Sequence, residues 1–221
     1  MRRDVSRRTR AKRPVAARRR ETRLGLVAAL LASLLIAPDA AADAPTVDTT
    51  GASQCKARGF STDTDPNGTN VRSAPRAGAS VIGRLSPRAR LGPDVYEGVE
   101  FEIVGSKDGW LLIQNADPAA DFKLDAAHAA DGRGWISGKL AGVTLGSEPF
   151  RAAPRRDAAI VAHLSGKNWG PDSFGVTVVH ACQGGYVEVT GTPNGGKPLR
   201  GWSWRPCSNQ LTTCDRSDWN D

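Results

Sequence analysis

Histidine is scarce in this chain of 221 residues, which contains only His128, His163 and His180. Nucleophilic catalysis by cysteine or serine requires a base held against the nucleophile, and no such pairing is visible around these histidines. Acidic residues are scattered through loop-like stretches, whereas hydrolysis by paired carboxylates needs them on facing elements. We therefore expect a protein that is not an enzyme and has no catalytic residues.

Long apolar runs are also lacking. The longest, Leu24–Ile36, has thirteen residues, fewer than the roughly 20 that a bilayer-spanning helix needs. It follows an Arg-rich segment and precedes small residues ending at Ala42, which is the order of a secretory signal peptide. We expect cleavage after Ala42 or Ala44 and a periplasmic or secreted protein of a Gram-negative bacterium. An uncleaved anchor is the alternative, and the arginine pairs leave the Sec and twin-arginine routes open.

An excess of positive charge is lacking outside this leader. The whole chain has a net charge of +7, but residues 1–42 hold eleven of the 30 basic residues and three of the 23 acidic ones. The remainder has 19 basic and 20 acidic residues, so it is almost neutral. This balance gives no electrostatic reason to expect a nucleic-acid partner.

What the chain does contain is a duplication. The pattern Arg-x-Ala-Pro-Arg occurs at residues 72–76 and again at residues 151–155, an offset of 79. Further along the chain, matching residues follow in the same order in both copies, while the offset between them falls from 79 to 76 and then to 67. This indicates that the same structural positions are joined by shorter loops in the second copy. An offset of this size is too long for a solenoid unit, so we expect two tandem domains. The matched positions are Ala79 with Ala158, Val81 with Ile160, Leu85 with Leu164, Gly109-Trp110 with Gly185-Tyr186, and Gly134-Trp135 with Gly201-Trp202.

Short, turn-bounded strand signals fill both copies, and no stretch reads as a long amphipathic helix. Residues 101–104 and 110–113 flank a turn at Lys107-Asp108-Gly109 and predict a β-hairpin. Residues 176–179 and 186–189 repeat that hairpin in the second copy. Five or six short strands in about 70 residues favour a closed barrel, because closure removes exposed sheet edges. The expected fold is all-β, with two small barrels in tandem.

Four short segments of the first copy follow one another in a characteristic order: Asn70-Val71-Arg72-Ser73-Ala74-Pro75, Val81-Ile82-Gly83-Arg84-Leu85, Gly109-Trp110 and Gly134-Trp135-Ile136. They resemble the bacterial SH3-like domain, and the second copy resembles a divergent member of it. The resemblance implies SH3-like domains at residues 58–145 and 146–214. Composition indicates a linker at 43–57, where small and polar residues dominate, and a polar tail at 215–221. The resemblance also implies binding of cell-wall peptides or envelope proteins, although one fold hosts many activities. A structural or inhibitory protein that docks onto a periplasmic protein is the alternative.

Four cysteines lie beyond the leader, an even number that predicts two disulfides in an oxidising compartment. One arrangement joins Cys207 to Cys214 and Cys55 to Cys182, and another joins Cys182 to Cys207 and Cys55 to Cys214. Spacing alone does not separate them. A zinc site formed by His180 with Cys182, Cys207 and Cys214 is a weaker alternative, because the ligand spacing is unusual. We expect no metal and no cofactor.

Aromatic residues make up only 6% of the chain, so the few that are present are the first candidates for ligand binding. Most could simply fill the barrels. Trp204 differs, since it lies two residues after Trp202 and faces the same side of an extended strand. The motif arginines could hold a carbonyl or contact a ligand carboxylate. The candidate residues are Arg72, Tyr96, Trp110, Trp135, Arg151, Tyr186, Trp202 and Trp204.

Two loops are longer than the bare fold requires, Ser86–Glu100 and Asn115–Arg133. Insertions of this length in compact domains are commonly either functional or disordered. Neither loop contains a pattern that indicates catalysis.

Overall fold

The computed structural model describes residues 46–116, 123–124, 133–146, 149–163, 174–194, 196–211 and 214. Residues 42–221 form one compact unit. The predicted leader at 1–42, the tail at 215–221, His128 and most of the second long loop lie outside the described residues. The predicted domain boundaries stay predictions.

The regular secondary structure of the described residues is almost entirely β-strand, which confirms the expected all-β class. A single 3-10 turn, Gly138–Leu140, interrupts it. The strands are β1 Ser53–Ser61, β2 Thr69–Arg72, β3 Val81–Leu85, β4 Ala89–Gly92, β5 Val95–Glu97, β6 Glu100–Lys107, β7 Trp110–Gln114, β8 Lys123–Leu124, β9 Gly134–Ser137, β10 Ala141–Gly142, β11 Phe150–Arg151, β12 Ile160–Ala162, β13 Phe174–Gln183, β14 Tyr186–Pro193 and β15 Leu199–Trp204.

The strands form two main antiparallel sheets and a small ribbon. Within the described residues, the first sheet has the order β10-β1-β6-β7-β9-β2-β3-β8 and the second has the order β12-β11-β15-β14-β13. Strands β4 and β5 pair only with each other and form a ribbon inside the first long loop. The two predicted hairpins are present as β6–β7 and β13–β14.

The duplication is visible in the strand order and in the register. The series β6-β7-β9-β2-β3 in the first sheet corresponds to β13-β14-β15-β11-β12 in the second. Arg72 lies opposite Trp135, and Arg151 lies opposite Trp202 in the same way. The register also shifts at matching points, after Val71 in one copy and after Phe150 in the other. The matched sequence positions therefore occupy matched places in the fold.

The two sheets share one core, and no sheet closes into a barrel within the described ranges. Ile103 and Leu111 of the first sheet belong to the same buried cluster as Val179 and Val189 of the second. The second sheet buries its apolar face in this shared core, which removes the need to close on itself. The expectation of two small closed barrels is therefore not confirmed.

A close backbone approach joins the two sheets at Gly138. A Cβ atom built on Gly138 would lie 1.8 Å from the carbonyl oxygen of Val179 in β13. The hydroxyl of Ser106 accepts a hydrogen bond from the backbone N–H of Cys182 at 2.8 Å and donates to its carbonyl oxygen at 3.2 Å. Only glycine fits at residue 138 while β13 keeps this position.

Strand β1 begins within the stretch that composition indicated as a linker. Its inward-facing positions hold Ala57, Gly59 and Ser61, all of them buried. These small residues produce no alternation of large apolar and polar side chains, which is the pattern that identifies a strand from sequence. Outside the first sheet, β1 also meets the turn of the second hairpin, where the Lys56 N–H donates to the Gly184 carbonyl at 2.8 Å.

Candidate functional site

The two motif arginines make the same contact in each copy. Nη1 of Arg72 donates to the carbonyl oxygen of Ala79 at 2.8 Å, and Nη1 of Arg151 donates to that of Ala158 at 3.1 Å. Each arginine thus holds the loop between two neighbouring strands. It does so with one charge-assisted hydrogen bond to a carbonyl seven residues further along the chain. Both side chains keep partial exposure.

The outer face of the first sheet, opposite the shared core, is covered by the segment 46–52. Trp135 is fully buried there, and its indole Nε1–H donates to the carbonyl oxygen of Asp48 at 2.8 Å. The Asp48 N–H donates in turn to the Ser73 carbonyl at 2.8 Å. Nζ of Lys107 donates to the Thr50 carbonyl, also at 2.8 Å. Trp135 is therefore a buried residue that anchors a neighbouring segment, and it presents no surface to a ligand.

The carboxylate of Asp48 lies in a favourable electrostatic environment. Its Oδ1 accepts a hydrogen bond from the Thr50 N–H at 3.0 Å. Hydrogen bonds from the backbone and the side chain of Thr50 lower the pKa of Asp48. Desolvation opposes them, and the positive charges of Lys107 and Arg76 make the smallest contributions, also lowering the pKa. The covering segment thus brings an acidic residue to a basic part of the sheet.

The outer face of the second sheet has a different appearance. Gly201 and Ser203 of β15 are buried, so the alternate residues Trp202 and Trp204 point outward, where both stay partly exposed. The ring of Trp204 packs on the buried Tyr186 with centroids 4.6 Å apart. The expectation that the two tryptophans share one side of the strand is confirmed.

Gly185 makes the position of Trp204 possible. A Cβ atom on Gly185 would lie 2.6 Å from Cζ3 of the indole, so any larger residue would displace the ring. The sequence contains this glycine as part of the repeated Gly-aromatic pair, but its role under Trp204 was not predicted. The repeated Gly185-Tyr186 pair was the sequence signal that could have identified this role, because it places a glycine at the start of a hairpin strand.

Positive charge surrounds Trp204. The guanidinium carbons of Arg156 and Arg205 each lie 5.3 Å from the centroid of its ring, within the range of a cation–π interaction. Across the same face, Arg200 binds the carboxylate of Glu188 through Nε and Nη2, at 3.0 Å each. Sequence reasoning did not identify Arg156, which lies far from Trp204 along the chain, or Arg205, which follows Trp204 directly but reaches its ring only because the backbone turns there with φ of 48°.

His180 lies beside this pair on β13. Its Nε2 is 2.8 Å from the hydroxyl oxygen of Thr190. Burial lowers the pKa of His180 below its ordinary 6.5, Arg200 lowers it further, and Glu188 raises it. The imidazole is therefore neutral at pH 7 and adds no charge to the face.

The remaining candidate residues lie apart from this face. Trp110 is half-buried on the first sheet, at the position that Tyr186 has in the second. Tyr96 is exposed on the β4–β5 ribbon, where the guanidinium of Arg88 lies 5.2 Å from its ring centroid. The structure thus brings together four of the eight predicted residues: Arg151, Tyr186, Trp202 and Trp204.

All four cysteines are paired, as Cys55–Cys182 and Cys207–Cys214. This is one of the two arrangements that the sequence left open. The proposed zinc ligands are therefore not available as thiolates. Two disulfides indicate an oxidising, non-cytoplasmic environment.

A scan against protein-family models found no matching model, and searches of curated proteins and of solved structures found no match. Among the described residues, no helix is both long and apolar enough to cross a membrane.

Proposed function

We propose that this chain is a non-enzymatic binding protein of the bacterial envelope, exported to the periplasm or secreted. The first repeat is an SH3-like unit and the second a divergent one, and the protein recognises a cell-wall peptide or an envelope protein. The observation that supports the proposal is the outer face of the second sheet, where Trp202 and Trp204 stay partly exposed although the matching face of the first sheet is covered.

The chemistry of this face suits a peptide. Indole rings offer a large contact area with few rotatable bonds, and tryptophan and arginine are enriched among the residues that dominate binding energies. Arg156 and Arg205 place positive charge at Trp204, which favours a ligand that carries carboxylates. Cell-wall peptides and acidic protein segments both meet that requirement.

Co-sedimentation with purified peptidoglycan sacculi at physiological salt tests the cell-wall ligand. We expect the protein spanning residues 42–221 to be retained, and Trp204→Ala to weaken retention about 30-fold, since a central tryptophan contributes on the order of 2 kcal/mol. Tyr96→Ala is the matched control, because it removes an exposed aromatic residue away from the face. Retention no better than that of a control protein would contradict a cell-wall ligand.

Docking onto a periplasmic protein is a second candidate, favoured by the β4–β5 ribbon. The ribbon exposes Leu91, Val95 and Tyr96 to 54%, 40% and 41%. Neighbouring exposed apolar residues mark interaction surfaces more often than isolated ones do. Affinity capture from periplasmic extract should then yield one stoichiometric partner that Leu91→Asp releases and Trp204→Ala retains. Capture that is insensitive to Leu91→Asp would reject the ribbon as the docking site.

A further inference from the structure

We infer that the outer face of the second sheet binds a short polypeptide segment that carries an acidic residue, in the way that the first sheet binds residues 46–52 of this chain. This inference rests on the proposed binding function and names the ligand class. The molecule contains its own template, because the two sheets have the same strand order and register.

The template is a short segment outside any strand, with a turn at residues 49–52, and it is held by two hydrogen bonds at Asp48. Asp48 donates its N–H to the carbonyl of Ser73, and its own carbonyl accepts the indole N–H of Trp135. These bonds involve only the backbone of the segment. They therefore set its path across the sheet without depending on its sequence.

The second sheet holds the corresponding groups. At the offset of 79, Ala152 takes the place of Ser73, and both N–H groups make the same loop contact, to Ala159 and Ser80 respectively. Trp202 takes the place of Trp135 opposite its motif arginine. Among the described residues, neither the Ala152 carbonyl nor the Trp202 indole N–H has a hydrogen-bond partner.

Charge explains why the segment should be acidic. In the template, the charges of Lys107 and Arg76 favour the Asp48 carboxylate. Arg155, the equivalent of Arg76 in the second copy, is already paired with Asp157 at 2.6 Å. The second copy adds Arg156 and Arg205 over Trp204. Glu188, the acidic residue opposite Trp202, is already neutralised by Arg200. Arg156 and Arg205 therefore place positive charge beside Trp204, which favours an acidic ligand.

Selection from a display library of random dodecapeptides on the protein spanning residues 42–221 tests the inference. We expect enrichment of peptides that contain Asp or Glu and that bind at least five-fold more weakly to Trp202→Phe, which keeps the ring and removes the N–H donor. Trp110→Phe is the matched control, because it makes the same change on the first sheet, and should leave affinity within two-fold. Replacing the acidic residue of a selected peptide by Lys should abolish binding.

Three outcomes would overturn the inference. They are no enrichment over a selection without the protein, peptides that bind Trp202→Phe equally well, and a concentration-dependent dimer in which residues 46–52 of a second copy occupy the face. Light scattering detects such a dimer from the molecular mass, and a shift of the Trp202 indole N–H resonance on dilution shows that the dimer occupies the face. Peptide binding at Trp202 without retention on sacculi would keep this inference and reject the cell-wall ligand. Sacculus retention that is unchanged in Trp202→Phe would instead keep the cell-wall ligand and reject this inference.

Discussion

Five strands of the first sheet and the five strands of the second follow one another in the same order, but among the described residues only the first series has a separate segment, residues 46–52, bound over its outer face. Trp135 is fully buried and donates its indole N–H to Asp48, whereas Trp202 at the matching position stays partly exposed. The same residue type in the same register is thus a structural anchor in one copy and a surface residue in the other. The duplication preserves the backbone geometry, and the role of each tryptophan depends on whether another segment of the chain packs over it.

Truncating the two equivalent tryptophans should give the largest contrast. Trp135→Ala leaves a buried cavity and an unpaired Asp48 carbonyl, so we expect a loss of about 4 kcal/mol in the free energy of unfolding. Trp202→Ala should cost about 2 kcal/mol or less, because its side chain is already partly in water. Urea unfolding of both variants at pH 7 measures the difference. Equal losses would mean that the second face is covered in solution.

Gly138→Ala should be the next largest effect, and it tests how closely the two sheets are joined. The added methyl group would meet the Val179 carbonyl at 1.8 Å, so β13 must shift, at a cost of about 3 kcal/mol. Gly78→Ala is the control, because a Cβ there meets nothing within 4 Å. Urea unfolding should show a change below about 1 kcal/mol for the control. A Gly138→Ala protein as stable as the control would show that the sheets can separate without loss.

The motif arginines should show no contrast at all. Arg72→Met and Arg151→Met each remove one hydrogen bond to a loop carbonyl, so each should lower the free energy of unfolding by about 1 kcal/mol. Thermal unfolding of the two variants checks whether the losses agree. A much smaller loss for Arg151→Met would indicate that the second arginine is kept for a ligand.

The smallest expected effect concerns pH and is confined to the second sheet. The pKa of His180 is lowered in the folded protein, so below pH 6.5 the unfolded chain takes up a proton more readily than the folded one. Stability that is present above pH 6.5 should then decline as the pH falls through the lowered folded value. His180→Gln, which keeps a hydrogen-bonding group near Thr190, should reduce the shift in urea midpoint between pH 7 and pH 5. An unchanged shift would assign the pH dependence to other groups.

Sequence reasoning identified the features that depend on short-range pattern. The alternation in Phe101–Val104 and the turn at Asp108 sufficed for the first hairpin, and the constant offset identified the second copy. Strand β1 was missed because its inward residues are small. The shared core depends on how two sheets pack, which no local pattern encodes.

The candidate face was predictable only in part. The spacing of Trp202 and Trp204 placed both on one side of a strand, because side chains alternate along extended backbone. The cations around Trp204 come from Arg156, after the second motif, and from Arg205, where the backbone turns with φ of 48°. Their convergence depends on tertiary structure. The burial of Trp135 likewise depends on a segment with no apolar pattern of its own.

The disulfide between Cys55 and Cys182 has a consequence for the survival of the protein outside the cytoplasm. It joins residues 127 positions apart, so most of both repeats lies within one covalent ring. A protease that cuts the chain once anywhere inside this ring opens the ring but releases no fragment. The two pieces stay linked until a reductant breaks the bond, and the shared core still holds them in place. A nicked molecule can therefore keep the face of Trp202 and Trp204, which suits a protein in an oxidising compartment that contains proteases.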